Sequence, residues 1–323
     1  MDLYQSVIAP VNSELALFKN RLASLLQSDD NDLVPMLESL RNRNGKMMRP
    51  ILVLLIGKFY GFPTESIYNV ATSVELLHTA TLLHDDVIDS SMLRRGQASF
   101  NAMFGNKVSI LFGDYLVSVS LGEMARTGDV GNLADLASLS GTLSVGEIAQ
   151  LALRSGDSLS EDNYFDIIYR KTACLFSTAA RIAAHTCAAC DVDVRGFAEF
   201  GRLAGLCFQI RDDIFDYYKS DEIGKPFGND LREGKFTLPA IHALNNSADN
   251  WSSVIRDIRN CTASSEQIEL VTDYTIKNGG ISYAYQCMDK LSQQAISCLP
   301  KEMPGQLRDA FQAYLSLIVS RKN

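Results

Sequence analysis

No proline stands between Pro63 and Pro226. A stretch that long, free of the residue that removes a backbone donor and clashes with the preceding turn, suits long helices. Within it apolar residues recur at three- and four-residue spacing, the period of a helix with one buried face. The spacing predicts helices over Ile67 to Val87, Lys107 to Ala125, Leu133 to Leu153, Tyr164 to Ala184 and Phe197 to Tyr218. Each runs about 18 to 22 residues, near 30 Å at the helical rise. Few alternating polar and apolar runs compete with them. Breaks are expected at Gly61-Phe62-Pro63, Arg95-Gly96-Gln97, Thr127-Gly128-Asp129, Ser155-Gly156-Asp157 and Ile223-Gly224-Lys225-Pro226, where turn formers cluster. Asp129 and Ser160 stand where a side-chain oxygen would cap a helix start. With no linker, low-complexity segment or solenoid repeat in view, the expected architecture is all-α: a single domain over 1–323, built as one large helical bundle.

Composition excludes several classes of function. Of the 323 residues 46% are hydrophobic and 21% charged, enough apolar material for a folded core and unlike a disordered chain. The net charge of -8 disfavours a broad nucleic-acid footprint, although local basic clusters still suit small phosphates. Met1 to Leu17 carries Asp2 and Glu14 and has neither the basic start nor the apolar core of a signal peptide. No stretch reaches the roughly 18 uncharged apolar residues of a membrane span. A cytoplasmic protein without a transmembrane segment is therefore expected. The 7 cysteines point to reduced thiols rather than a disulfide framework. Cys187 and Cys190 have the spacing of half a zinc site, but their Ala-rich, helix-like surroundings predict buried structural thiols.

The chemistry is concentrated in two aspartate clusters. Leu82-Leu83-His84-Asp85-Asp86-Val87-Ile88-Asp89 places Asp85 and Asp89 one turn apart on one helix face. Phe208-Gln209-Ile210-Arg211-Asp212-Asp213-Ile214-Phe215-Asp216 repeats the pattern at the end of another predicted helix, with Asp212 and Asp216 as its pair. Stacked like charges destabilise a helix by a few tenths of a kcal/mol unless a cation or basic partner joins them. Carboxylates are hard ligands, and Mg²⁺ takes only one or two before completing its shell with water and substrate phosphate. One such cluster alone would read equally well as a solvated helix end. Two, in apolar settings, with basic company, point to a diphosphate held through metal bridges. That company is Lys46 and Arg49, Arg94 and Arg95, Lys171 beside Thr172, and Lys225 with Lys235. Arginine offers a fork matched to phosphate oxygens, lysine a compact point charge.

Taken in order from Asn44 to Pro239, these segments resemble the trans-isoprenyl diphosphate synthases, of the polyprenyl and octaprenyl type. The shared pattern comprises Gly45-Lys46 to Arg49-Pro50, His78 to Gly96, Gly113-Asp114-Tyr115, Lys171-Thr172, Phe208 to Asp216, and Gly224-Lys225 through Gly228 to Gly234-Lys235. The resemblance implies the isoprenoid synthase fold, with both clusters lining a central active-site cavity, a Mg²⁺ requirement and a homodimer. It implies that Asp85, Asp89 and Asp212 ligate magnesium directly, while Asp86, Asp213 and Asp216 act around them. It gives Arg94, Lys171, Thr172, Gln209, Lys225 and Lys235 the allylic diphosphate, and Lys46, Arg49, His78 and Arg95 isopentenyl diphosphate. Asp85, Asp89, Lys171, Asp212 and Lys225 are its candidate catalytic residues. Taken singly, His78 also reads as a satisfied core histidine and Lys171 as a solvated one. The family's glycine pair is Asn44-Gly45 here, and Met47 stands where an arginine is common.

The implied reaction is departure of pyrophosphate from the allylic substrate, attack by the isopentenyl double bond on the resulting cation, and proton loss, for which the released pyrophosphate can serve as base. Ala80 and Thr81, about one turn before Asp85, are small where short-chain members carry aromatic residues. A linear all-trans product longer than fifteen carbons is expected, of the kind attached to a respiratory quinone. Ala80 also reads as a close-packing residue. Alternatives are a geranylgeranyl or farnesyl diphosphate synthase, a terpene cyclase, and a non-catalytic partner subunit.

Overall fold

The computed structural model describes residues 2–42, 45–61, 64–94, 96–152, 159–218 and 228–320. Its helices are α1 (Leu3–Ile8), α2 (Asn12–Leu25), α3 (Val34–Arg41), α4 (Met48–Phe59) and α5 (Glu65–Ile88), followed by a small antiparallel hairpin, β1 (Leu93–Arg94) and β2 (Gln97–Ala98). Then come α6 (Phe100–Phe104), α7 (Asn106–Ala125), α8 (Val130–Ala152), α9 (Glu161–Ile168), a π-helical turn (Tyr169–Ala173), α10 (Cys174–Thr186) and α11 (Asp191–Phe215). The chain closes with α12 (Asn229–Arg232), α13 (Leu238–Asn245), α14 (Ser252–Arg259), α15 (Ser265–Lys277), α16 (Gly280–Ser297) and α17 (Gly305–Val319). The all-α expectation holds, and the predicted long helices overlap α5, α7, α8, the α9–α10 run and α11, although α11 ends at Phe215 rather than Tyr218 and Leu153 lies outside the described residues. Asp129 and Ser160 cap as expected: the Asp129 carboxylate accepts from Gly131 N–H at 2.7 Å and the Ser160 hydroxyl from Asn163 N–H at 3.3 Å. The breaks expected at 155–157 and 223–226 lie outside the described residues.

Two compact units emerge, each assembled from separated stretches of chain. The first comprises Met1–Ser140, Leu175–Ala198 and Leu299–Tyr314. Its centre is α4, where Ile51 to Ile56 are fully buried, so this helix is apolar all round rather than on one stripe. Each such aliphatic side chain contributes about 1.5–3 kcal/mol by leaving water. Tyr314 donates to the Met48 carbonyl at 3.0 Å, and Phe197 packs its ring against Phe59, Tyr60 and Phe311. Helix α5 packs along α7. Ser73 and Ser120, both fully buried, donate to each other's carbonyls at 2.8 Å and let the two backbones come close.

The second unit comprises Gly141–Cys174, Glu199–Cys298 and Leu315–Asn323. Tyr217, Leu231, Ala240, Leu244, Ile258, Ile268 and Val271 form a core within it. Gly280 opens α16 against α13, where an added Cβ would stand 2.3 Å from the Pro239 carbonyl oxygen.

One expectation fails. All seven cysteines are free thiols, but Cys190 is exposed and Cys187 only half-buried. Helix α10 stops at Thr186, and Ala188 takes a left-handed conformation (φ 55) that turns the chain toward α11. The alanines suggested a continuing helix; the turn lifts the cysteine pair out of it.

Candidate active site

In the first unit, α5 carries His78, Ala80, Thr81, Asp85 and Asp86 and ends on Asp89 as its C-cap. The end is a Schellman turn: Ser90, left-handed at φ 50, donates its N–H to the Val87 carbonyl at 3.2 Å, and Ser91 N–H reaches the Asp86 carbonyl at 2.9 Å. This stops the helix just after the aspartates and leaves Asp89 exposed and Asp85 half-buried. Asp86 faces inward at 1% exposure. Its Oδ1 accepts from Arg94 Nε at 2.8 Å and Nη2 at 2.7 Å, and its carbonyl accepts from Asn101 Nδ2 at 3.2 Å. Its Oδ2 and Asn101 Oδ1 are buried without a hydrogen-bond partner. Arg94, expected to meet diphosphate, is thus engaged with the carboxylate that anchors the helix end.

Ala80 is fully buried, and Thr81 is half-buried with its hydroxyl on the His78 carbonyl at 2.8 Å. Gly113 of α7 lies so close to His84 that a Cβ there would stand 2.3 Å from Nε2. Lys46 is exposed just before α4. Arg49 is 8% exposed, its guanidinium 4.4 Å above the Phe176 ring, a cation–π arrangement. Met47 is left-handed (φ 52) at the start of that helix.

In the second unit the last turn of α11 separates its carboxylates. Asp212 is exposed. Asp213 is 6% exposed; Tyr164 donates to its Oδ2 at 2.6 Å and Gln209 to its Oδ1 at 2.8 Å. Burial pushes the Asp213 carboxyl up to about 6, with Asp212 and Asp216 adding repulsion against those two bonds. Gln209 in turn accepts from the Thr172 hydroxyl at 2.7 Å, so Thr172, Gln209, Asp213 and Tyr164 form one hydrogen-bonded line. Asp216 is the first residue beyond α11. Its carboxylate accepts from the backbone N–H groups of Asn229 and Asp230, both at 3.0 Å, and so caps α12.

Lys171 and Thr172 sit on the π-helical turn, a local widening common at functional sites. Lys171 Nζ contacts Glu147 at 2.7 Å and donates to Gln150, both on α8, while Thr172 points to Gln209. Gly146 lets α8 approach this turn: a Cβ there would stand 2.8 Å from Arg170 Cβ and 3.2 Å from Lys171 N. Lys235 donates to Glu233 at 2.6 Å. Arg95, Lys225 and Asn44 lie outside the described residues.

The sequence reading missed Tyr164, Glu147, Gln150, Asn101 and Glu233. Only Glu147 and Gln150, one turn apart in a predicted helix, left any local signal. Among the described residues no group of three or more His, Cys, Asp or Glu is placed to hold a metal unaided.

A family model described as polyprenyl synthetase matches residues 30–275. An octaprenyl diphosphate synthase of Haemophilus influenzae is 31% identical over 316 residues, covering 97% of this chain and 92% of that protein. Among solved structures, a decaprenyl diphosphate synthase from Rhodobacter capsulatus superimposes with a TM-score of 0.89 at 30% identity, over 98% of both chains. A geranylgeranyl pyrophosphate synthase from Bacteroides thetaiotaomicron does so with a TM-score of 0.86 at 38% identity, over 99% of this chain and 100% of that one.

Proposed function

This chain belongs to the polyprenyl synthetase family, and from that premise we propose that it condenses isopentenyl diphosphate with an allylic diphosphate to make a linear all-trans medium- or long-chain polyprenyl diphosphate. The observation that carries the reading is the division of labour within each aspartate cluster. Asp86 and Asp213 are buried in hydrogen bonds that fix their helix ends, while Asp89 and Asp212 stay exposed. Asp85, Asp89 and Asp212 then serve as magnesium ligands, and their hard oxygens fit that ion. Magnesium, when bound, supplies positive charge to the departing pyrophosphate. Lys171, Lys225 and Lys235, with Arg94, Thr172 and Gln209, hold the allylic diphosphate; Lys46, Arg49, His78 and Arg95 hold isopentenyl diphosphate. Asp216, by capping α12, ties the end of α11 to the start of α12.

Small residues at Ala80 and Thr81 support a product beyond fifteen carbons, of a size suited to a quinone side chain, and the octaprenyl and decaprenyl names among the relatives agree. The geranylgeranyl synthase at 38% identity favours a second, shorter reading. Incubating the purified chain with Mg²⁺, labelled isopentenyl diphosphate and primers of increasing length, then separating products by chromatography, decides between them. A main product of fifteen or twenty carbons sinks the long-chain reading. Ala80→Phe should shorten the product. Asp85→Ala and Asp212→Ala should each lower kcat at least about a hundredfold.

A homodimer is the proposed assembly, and α7 its proposed face. One side of that helix presents Ile110, Leu111 and Leu121 at 43%, 68% and 36% exposure. Placement in the cytoplasm is part of the same proposal.

A further inference from the structure

The described basic residues assigned to the allylic diphosphate already have acidic company. Arg94 rests on Asp86, Lys235 on Glu233 and Lys171 on Glu147. The first two pairs are made by residues 8 and 2 apart in sequence. The third joins α8 to the π-helical turn over a longer stretch of chain, and the geometry around it is specific. Glu147 and Gln150 stand three residues apart on one face of α8, both meet the same ammonium, and the backbone at Gly146 admits the π-helical turn that carries it. A lysine ammonium has three donors; Glu147 and Gln150 take two, one with a charge and one without. The pair is neither buried nor fully exposed, at 23% for Lys171 and 22% for Glu147. Incoming phosphate oxygens can therefore compete for it.

We propose that Glu147 is a positioning residue acting as an exchangeable counter-ion: it holds Lys171 in the ligand-free protein, gives way to the diphosphate, and re-forms the pair as pyrophosphate leaves. The inference rests on the reading of Lys171 as a diphosphate contact. It carries a sign that a purely structural role does not. If Glu147 only propped Lys171, removing its charge would weaken diphosphate binding. As a competitor for the same ammonium, its neutralisation strengthens binding, because glutamine keeps the shape and Gln150 still accepts from Lys171.

The test is calorimetric titration of inorganic pyrophosphate, with saturating Mg²⁺, into the full chain and its variants. Glu147→Gln should bind about two- to fivefold more tightly, the range expected for losing one partly exposed competing pair. KM for the allylic substrate and kcat should fall together, as product release slows. Gln150→Glu adds a second competing carboxylate and should weaken binding by a similar factor, which keeps the test alive should Glu147→Gln fold poorly. In a Lys171→Gln background both effects should vanish. Weaker or unchanged binding in Glu147→Gln, or tighter binding in Gln150→Glu, overturns the proposal while Lys171→Gln still loses affinity. If Lys171→Gln itself leaves pyrophosphate binding untouched, the underlying assignment of Lys171 is what fails.

Discussion

Removing the hydroxyl of Tyr164 takes away the 2.6 Å bond to Asp213 and leaves a buried carboxylate short of a donor. Hydrogen bonds to charged groups contribute about 1.5–3 kcal/mol, and an acceptor left buried loses its hydration as well. Tyr164→Phe is therefore expected to cost about 2 kcal/mol by chemical denaturation. It should also raise KM for the allylic substrate, because Asp213, Gln209 and Thr172 belong to one line. An unchanged denaturation midpoint would count against that line as a structural unit. Ser90 offers the opposite case. A serine held at φ 50 pays a steric cost that glycine does not, so Ser90→Gly should stabilise the chain by about 0.5–1 kcal/mol, measurable as a higher Tm. The aspartates themselves were legible, because a four-residue repeat in an apolar helix is a local signal. Their partners were not. Tyr164 stands 49 residues from Asp213, and nothing in either neighbourhood announces the contact. The inward turn of Asp86 was equally hidden, since nothing in the sequence pairs it with Arg94.

At the scale of elements, the helical period and the absence of proline located α5, α7, α8 and α11 to within a few residues at most ends. Capping side chains such as Asp129 and Ser160 marked starts as local chemistry should. The π-helical turn was invisible, because Tyr164 to Ala184 keeps a helical pattern and one wider turn leaves no compositional trace. Its cause lies across the packing: Gly146 provides the space into which Arg170 and Lys171 settle. Gly146→Ala is the corresponding prediction. The added methyl meets Arg170 Cβ at 2.8 Å and backbone atoms at 3.1 and 3.2 Å, so the turn must shift rather than a flexible tip. Overpacking of this kind costs about 1–3 kcal/mol. Displacing Lys171 should raise KM for the allylic substrate by about tenfold or more, since small misplacements at a reacting centre are costly. Steady-state kinetics beside thermal melting would separate the two effects, and a variant with lowered Tm but unaltered KM would show that the π-helical turn does not position Lys171.

For the whole molecule, the question left by the fold is what covers α7. Its most apolar 18-residue window has a mean hydropathy of 1.3, and 39% of that window is buried. It is the one described helix long and apolar enough to cross a membrane, which composition alone had not suggested. Two features of the helix argue for a protein partner instead. Asp114, at 64% side-chain exposure, lies one turn from Ile110 and Leu111 on the same face, where a lipid core would make it expensive. Glu123, 2% exposed, is tied to Arg21 and Arg126, so the far end of the helix is anchored by ion pairs within its own unit. A second copy meeting α7 across a two-fold axis would bury the leucines while leaving Asp114 room at a wet margin, as self-complementary interfaces do. Leu111→Arg should then halve the mass seen by sedimentation velocity at micromolar concentration. Because Leu111 is 68% exposed, the substitution leaves the packing within the chain intact, so circular dichroism should stay unchanged. If the unsubstituted chain sediments as a monomer, or partitions into membranes on lysis, the α7 dimer is wrong.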